Sequence, residues 1–167
     1  MSATEHKAAA PAAVGVFALT VSDTRTEATD TSGQAIRALV TGAGHILADS
    51  RIVKDEPADV RVAVLTALAN PAVQVVITTG GTGITSRDGT YEAIAGLIEK
   101  RLDGFGELFR GLSYQEIGAA AMMSRAFAGT VGHRAIFVLP GSEGAVRLAM
   151  EQLILPELGH IAQQLAK

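Results

Sequence analysis

Short, uninterrupted apolar runs, each closed by a polar turn and followed by a stretch of helical spacing, constrain this chain more than any other feature. Residues 14–21 read Val-Gly-Val-Phe-Ala-Leu-Thr-Val. A run of that length without polar alternation fits a strand covered on both faces. Residues 22–32 are polar and turn-forming, and Asp30, Thr31 and Ser32 can each cap the helix that follows. Ile36, Leu39 and Val40 then recur at helical spacing until Gly42 and Gly44 stop the helix.

The same alternation continues. Residues 45–53 form the second expected strand, and Pro57 opens a helix with Val60, Val64, Leu65 and Leu68 on one face, ended by Asn70-Pro71. Residues 73–79 form the third strand, followed by a glycine turn and a helix from about residue 90 to residue 100. Two further helices are expected at 104–112 and 114–125, a fourth strand at 135–139, and closing helices at 145–154 and 157–165. Strands alternating with helices imply right-handed crossovers and a mainly parallel sheet in an α/β fold. In such sheets ligands bind beyond the carboxyl ends of the strands. The loops at Ser22, Asp55, Gly80 and Gly141 each follow an expected strand, so they open on one edge.

Composition narrows the classes. A chain of 167 residues with 48% hydrophobic and 19% charged residues supports one sizeable core, placed here at residues 14–167. Aromatics are 4%, so Val, Ile, Leu and Ala must build that core. A net charge of −3 without a basic block argues against nucleic-acid binding. The absence of cysteine excludes disulfides and thiolate chemistry. No apolar run approaches the roughly 18 residues of a membrane span. Residues 1–13 lack a hydrophobic signal core and read as a disordered lead-in to a cytoplasmic protein.

Thr79-Gly80-Gly81-Thr82-Gly83 has the makings of an anion cradle, because glycines permit positive φ and close approach of a ligand to backbone N–H groups. The plain alternative is an ordinary strand-to-helix turn. The pattern is neither a Walker loop nor a dinucleotide fingerprint. Asp88 reads as a helix cap or as a carboxylate for Mg²⁺, with Arg87 beside it to neutralise phosphate. Asp55-Glu56 reads as a helix-start pair or as a second acidic group at the same edge. Ser22-Asp23 and Pro140-Gly141-Ser142 are capped turns that also bring hydroxyls to that edge. His6, His45, His133 and His160 show no metal-ligand spacing. The Ala-, Gly- and Met-rich segment 117–131, with little charge beyond Arg125, suits close packing inside the chain or against another subunit.

Taken together, these segments resemble the molybdenum-cofactor biosynthesis family that includes the MoaB and Mog proteins and a domain of gephyrin, with the MoaB branch nearest. The matching residues include Thr20-Val21-Ser22-Asp23, Asp30-Thr31-Ser32-Gly33, Val53-Lys54-Asp55-Glu56 and Thr79-Gly80-Gly81-Thr82-Gly83 with Arg87-Asp88. Gly104-Phe105-Gly106-Glu107-Leu108-Phe109-Arg110, Ser124-Arg125-Ala126 and Pro140-Gly141-Ser142 continue the match, in order. Tyr91 stands where the family commonly has proline.

The resemblance implies a three-layer α/β/α fold that binds molybdopterin, a pterin with a terminal phosphate. It further implies transfer of AMP from Mg-ATP to that phosphate, with release of pyrophosphate. Asp55 and Asp88 would then be the catalytic, Mg²⁺-holding pair. Thr79, Gly80, Gly81, Thr82, Gly83, Ser22, Asp23, Pro140, Gly141 and Ser142 would contact substrate or phosphate. Self-association as a trimer or hexamer, and contact with other molybdenum-cofactor biosynthesis proteins, also follow from it. Two other readings stand beside this one: a non-catalytic molybdopterin-binding or assembly protein of the same fold, and a flavodoxin-like mononucleotide binder. The last is disfavoured because the glycine turn follows the third strand rather than the first.

Overall fold

The computed structural model describes residues 2, 4, 5, 10, 11 and 13–167. Most of the expected lead-in over residues 1–13, including His6, lies outside them. One six-stranded mixed sheet organises the rest, in the order β2-β1-β3-β6-β5-β4. Strands β1 (Gly15–Val21), β2 (Ile46–Val53), β3 (Val75–Thr79) and β6 (Arg134–Leu139) run parallel. Strands β4 (Lys100–Arg101) and β5 (Phe127–Val131) complete the sheet as antiparallel neighbours at one edge.

Period-two alternation splits the apolar strand residues between two cores. Val16, Ala18, Val75, Ile77, Phe137 and Leu139 face helices α1 (Thr31–Gly42), α4 (Asp103–Ile117), α5 (Glu143–Ala149) and α6 (Leu155–Leu165), with Phe109 and Met150 fully buried among them. Phe17, Leu19, Val76, Ile136 and Val138 face α2 (Pro57–Ala69) and α3 (Thr90–Ala95). The result is the expected three-layer α/β/α arrangement, buried on both faces of the sheet. Among the described residues no helix is long and apolar enough to cross a membrane.

Several local expectations change. The helix expected over 90–100 stops at Ala95, because Leu97 and Ile98 turn inward to join the second core before β4. The two helices expected at 104–112 and 114–125 are one helix, α4, that runs through buried Ser113. It ends at Gly118, whose φ of 69° favours glycine, and a 3₁₀ turn over Gly118–Met123 follows. Residues 127–131, read from composition as small-residue packing surface, form β5 instead. In α2, Ala63 and Ala67 take the inner face beside Val60 and Val64, and Leu65 turns outward. The two closing helices meet through a π-type turn over Met150–Ile154, ahead of Pro156, which has no N–H to donate.

Candidate functional site

Strand β1 lies between β2 and β3, so the chain leaves it in one direction along the sheet and returns on its other side. Such a switch opens a crevice beyond the carboxyl ends of the two diverging strands. A cavity of about 270 Å³ lies there, lined by Thr20 to Asp23, Arg25, Asp30, Ser32, Asp55, Thr79, Gly80, Gly81, Asp88 and Gly141. The four loops expected on one edge do converge.

Hydrogen bonds between loops fix their relative positions. Thr79 Oγ1 donates to the Pro140 carbonyl at 2.7 Å, and Ser32 Oγ donates to the Gly141 carbonyl at 2.7 Å. The Asp55 N–H donates to Asp23 Oδ1 at 3.1 Å, and the Gly89 N–H donates to Asp55 Oδ1 at 3.2 Å. Asp30 is buried at the start of α1, where Oδ1 accepts from the Gly33 N–H at 2.9 Å and Oδ2 from Thr20 Oγ1 at 2.6 Å. It is the N-cap that its sequence position suggested.

The glycine turn is specific in its demands. Gly80 and Gly81 have φ of 101° and 71°. A Cβ on Gly80 would lie 2.1 Å from the Val21 carbonyl oxygen, and one on Gly81 would lie 2.0 Å from Thr90 Oγ1. The Gly80 N–H is used by the sheet, donating to the Leu139 carbonyl at 3.1 Å. The N–H groups of Gly81 and Thr82 meet no acceptor among the described residues, and Gly81 lines the cavity, where its N–H is left for a ligand. Thr90 Oγ1, beneath Gly81, is buried without a hydrogen-bond partner.

Charge in the cavity is mostly negative. Burial pushes the Asp55 carboxyl above its ordinary value, and the nearby carboxylates of Asp88 and Asp23 add to that against the Gly89 N–H. Burial acts in the same upward sense on Asp88. There the Thr85 hydroxyl and N–H, the Gly83 N–H and the charge of Arg125 prevail and hold the carboxyl below its ordinary value. Asp88 therefore closes a turn with Thr85 rather than capping α3, whose cap is Gly89. The donor set suits Mg²⁺: two carboxylates, one of them short of positive partners, leave most coordination positions for phosphate and water. No cluster of three metal-ligating side chains occurs among the described residues.

Arg87 does not fill the phosphate-neutralising place its sequence position suggested. Its guanidinium donates to both Asp23 oxygens at 3.1 Å and pairs with Glu56 at 2.8 Å. These bonds hold the Asp23 carboxyl below its ordinary value and raise the Arg87 guanidinium further. Ser22 Oγ accepts from the N–H groups of Thr24 and Arg25. Ser142 caps α5 by accepting from the Ala145 N–H, and Thr82, Gly83, Pro140 and Ser142 are not among the residues that line the cavity.

Arg125 is the residue whose part the sequence concealed. From the strand-entry side of β5 its side chain reaches the carbonyls of Thr82, Gly83 and Asp88 and pairs with Glu92. It also lies over the Tyr91 ring, 5.1 Å from the centroid, and Tyr91 meets Phe127 edge-on at 4.8 Å. One side chain thereby fastens the whole segment from Thr82 to Glu92. Its being the lone charge of an otherwise uncharged stretch was the available signal.

Comparison with known proteins agrees with this fold. Residues 17–160 match the family described as "Probable molybdopterin binding domain". The chain is 54% identical over 166 residues to molybdenum cofactor biosynthesis protein B of Bacillus cereus, covering 99% of this chain and 98% of that one. A crystal structure of a molybdenum cofactor biosynthesis protein B superposes with a TM-score of 0.91 at 53% identity, over 94% of this chain and 98% of the other. The tungsten cofactor synthesizing protein MoaB of Pyrococcus furiosus superposes with a TM-score of 0.84 at 38% identity, over 95% of this chain and all of its own, 100%.

Proposed function

The chain belongs to the family of probable molybdopterin binding domains, and from that premise we propose that it binds molybdopterin and adenylylates it with Mg-ATP. The observation that carries this reading is the placement of Asp55 and Asp88 in one cavity with the uncommitted N–H group of Gly81. A terminal phosphate would rest on that N–H group. Its oxygen attacks the α-phosphorus of ATP, a new P–O bond forms, and the bond to the β-phosphate oxygen breaks, releasing pyrophosphate. The attacking phosphate is already anionic, so the protein needs no general base. What it must supply is positioning and relief of charge repulsion. Asp55 and Asp88 would hold Mg²⁺, which when bound neutralises charge on the polyphosphate. The rigid loop contacts of Asp55 with Gly89, and of Thr79 with Pro140, would keep the two phosphates in line.

The reading extends to a cytoplasmic setting, to contact with other molybdenum-cofactor biosynthesis proteins, and to self-association as a trimer or hexamer. Tyr114, Ile117, Met122 and Met123 are exposed apolar side chains at the end of α4 and in the 3₁₀ turn, which supports association, and light scattering measures it. A second reading is a non-catalytic molybdopterin-binding protein. It is favoured by the cavity volume of about 270 Å³, which falls just below the ordinary range for ligand pockets of roughly 300–1,000 Å³.

Incubation with Mg-ATP and molybdopterin decides between them. Adenylyl transfer predicts stoichiometric pyrophosphate release, lowered about 10²-fold in Asp88→Asn with molybdopterin binding retained. Molybdopterin binding without pyrophosphate release establishes the second reading. Absence of molybdopterin binding removes both.

A further inference from the structure

The cavity lining contains the carboxylates of Asp23, Asp30, Asp55 and Asp88 but, among the described residues, one cationic side chain, Arg25. A site for a phosphorylated ligand with that balance has to recruit positive charge from somewhere. Arg87 is committed to Asp23 and Glu56 on the outer side of the same loops. Among the described residues Arg25 pairs with no carboxylate. Its Nη1 donates to the Thr29 carbonyl at 2.5 Å and to Thr31 Oγ1 at 3.3 Å, and its Nε and Nη2 meet no acceptor among the described residues.

The loop that carries Arg25 is also internally hydrogen-bonded. Ser22 Oγ accepts from the Arg25 N–H at 3.0 Å, Thr29 Oγ1 accepts from the Thr26 N–H at 2.9 Å, and the Thr26 carbonyl accepts from the Asp30 N–H at 2.8 Å. Neutral oxygens thus orient the guanidinium without discharging it, and they leave an edge with two N–H directions free. That is the geometry in which arginine binds two oxygens of one phosphate. The 12-residue helix α1 begins at this same loop and adds the partial positive charge of its N-terminus.

We propose that Arg25 is the phosphate-recognising residue of the cavity, engaging a phosphate group of the ligand in bidentate fashion while Arg87 serves only to clasp the loops. The inference rests on the anionic-ligand reading of this site. The phosphate can come from the nucleotide or from the pterin, and the two sources are separable.

Titration calorimetry of the full chain with Mg²⁺ and pyrophosphate, Mg-ATP, adenosine and molybdopterin tests it. Pyrophosphate is the probe common to both sources. Arg25→Gln should weaken pyrophosphate binding at least tenfold, leave adenosine unchanged and keep the wild-type melting temperature, since the side chain is exposed. Arg25→Lys, which keeps the charge but loses the fork, should fall between. Arg87→Gln should change pyrophosphate affinity less than threefold. A loss confined to Mg-ATP assigns Arg25 to the nucleotide, and one confined to molybdopterin assigns it to the pterin phosphate. Wild-type affinity of Arg25→Gln for all phosphorylated probes overturns the inference, as does an equal loss in Arg87→Gln. Arg25-dependent pyrophosphate binding without binding of ATP or molybdopterin keeps Arg25 and overturns the adenylylation reading. A wild-type chain that binds no phosphorylated probe overturns both.

Discussion

The Gly89 N–H donates to Asp55 Oδ1 at 3.2 Å, which ties the carboxylate at the end of β2 to the residue that follows Asp88. This bond and the loop geometry hold two acidic groups in one cavity without a bridging arginine between them. Asp55, 8% exposed, bears the cost, with its carboxyl raised first by burial and then by Asp88 and Asp23.

Replacing Asp55 by Asn should therefore stabilise the ligand-free protein at pH 7 while removing activity. A raised folded pKa means that ionised Asp55 opposes folding at pH values above it. The gain in Asp55→Asn is largest there, shrinks as pH falls through the folded value, and vanishes below the ordinary aspartate range near ~4. Melting temperature followed against pH for both proteins shows this. A variant less stable than wild type at pH 7 contradicts it.

Arg125 holds the carbonyls of Thr82, Gly83 and Asp88 with side-chain donors that Gln cannot reproduce. Arg125→Gln should cost about 2 kcal/mol in urea unfolding and loosen the segment from Thr82 to Glu92. Hydrogen exchange should quicken at Gly83 and Asp88 and not in β1. The variant should also lose the part of the acid stability due to Glu92. The Arg125 hydrogen bond lowers that carboxyl, so its contribution is full above the ordinary glutamate value and disappears as pH falls below it.

Gly81→Ala meets two obstacles: a φ of 71° and Thr90 Oγ1 at 2.0 Å from the new Cβ. A cost of about 2 kcal/mol or more is expected, with loss of pyrophosphate binding. The double variant Gly81→Ala/Thr90→Ala should regain part of the stability, because the clash is with a side chain, but not the binding.

Asp30→Ala leaves Thr20 Oγ1 and the Gly33 N–H without their acceptor inside the protein. The expected loss is about 2–3 kcal/mol, above that of an exposed helix cap. Asp30→Asn should retain roughly half of it.

Most parallel strands were legible as short apolar runs bounded by turn residues, as in 14–21 and 73–79, and β2 from the apolar pairs flanking Asp49-Ser50-Arg51; the loops of the site follow from where those strands end. The edge strands were not legible. Lys100–Arg101 is two residues long, and Phe127–Val131 lies in a segment whose alanines and glycine suggest close packing more than pleat. Phe127–Val131 is a strand because β6 offers it a partner, and Lys100–Arg101 because β5 in turn does, a tertiary effect that no local pattern carries. Within the site, Asp55, Asp88, Gly80 and Gly81 were expected at this edge from type and position, and the structure places them in one cavity. The division of labour between Arg25 and Arg87 was not, since it depends on Asp23 and Glu56 lying within reach of one arginine and not the other.

Ser32 Oγ closes the cavity by bonding the carbonyl of Gly141, 109 residues further along the chain. A consequence follows for synthesis. As the chain emerges from the ribosome, β1, β2 and β3 can pair while the wall supplied by the end of β6 is still missing. At about 5–20 residues per second, several seconds separate the emergence of the glycine turn from that of Gly141. During that interval the cavity lacks its Gly141 wall, and a growing chain has no finished pocket with which to capture a ligand. Ligand capture is accordingly reserved for the completed chain, and a fragment ending before β6 should be inert even where its strands have formed.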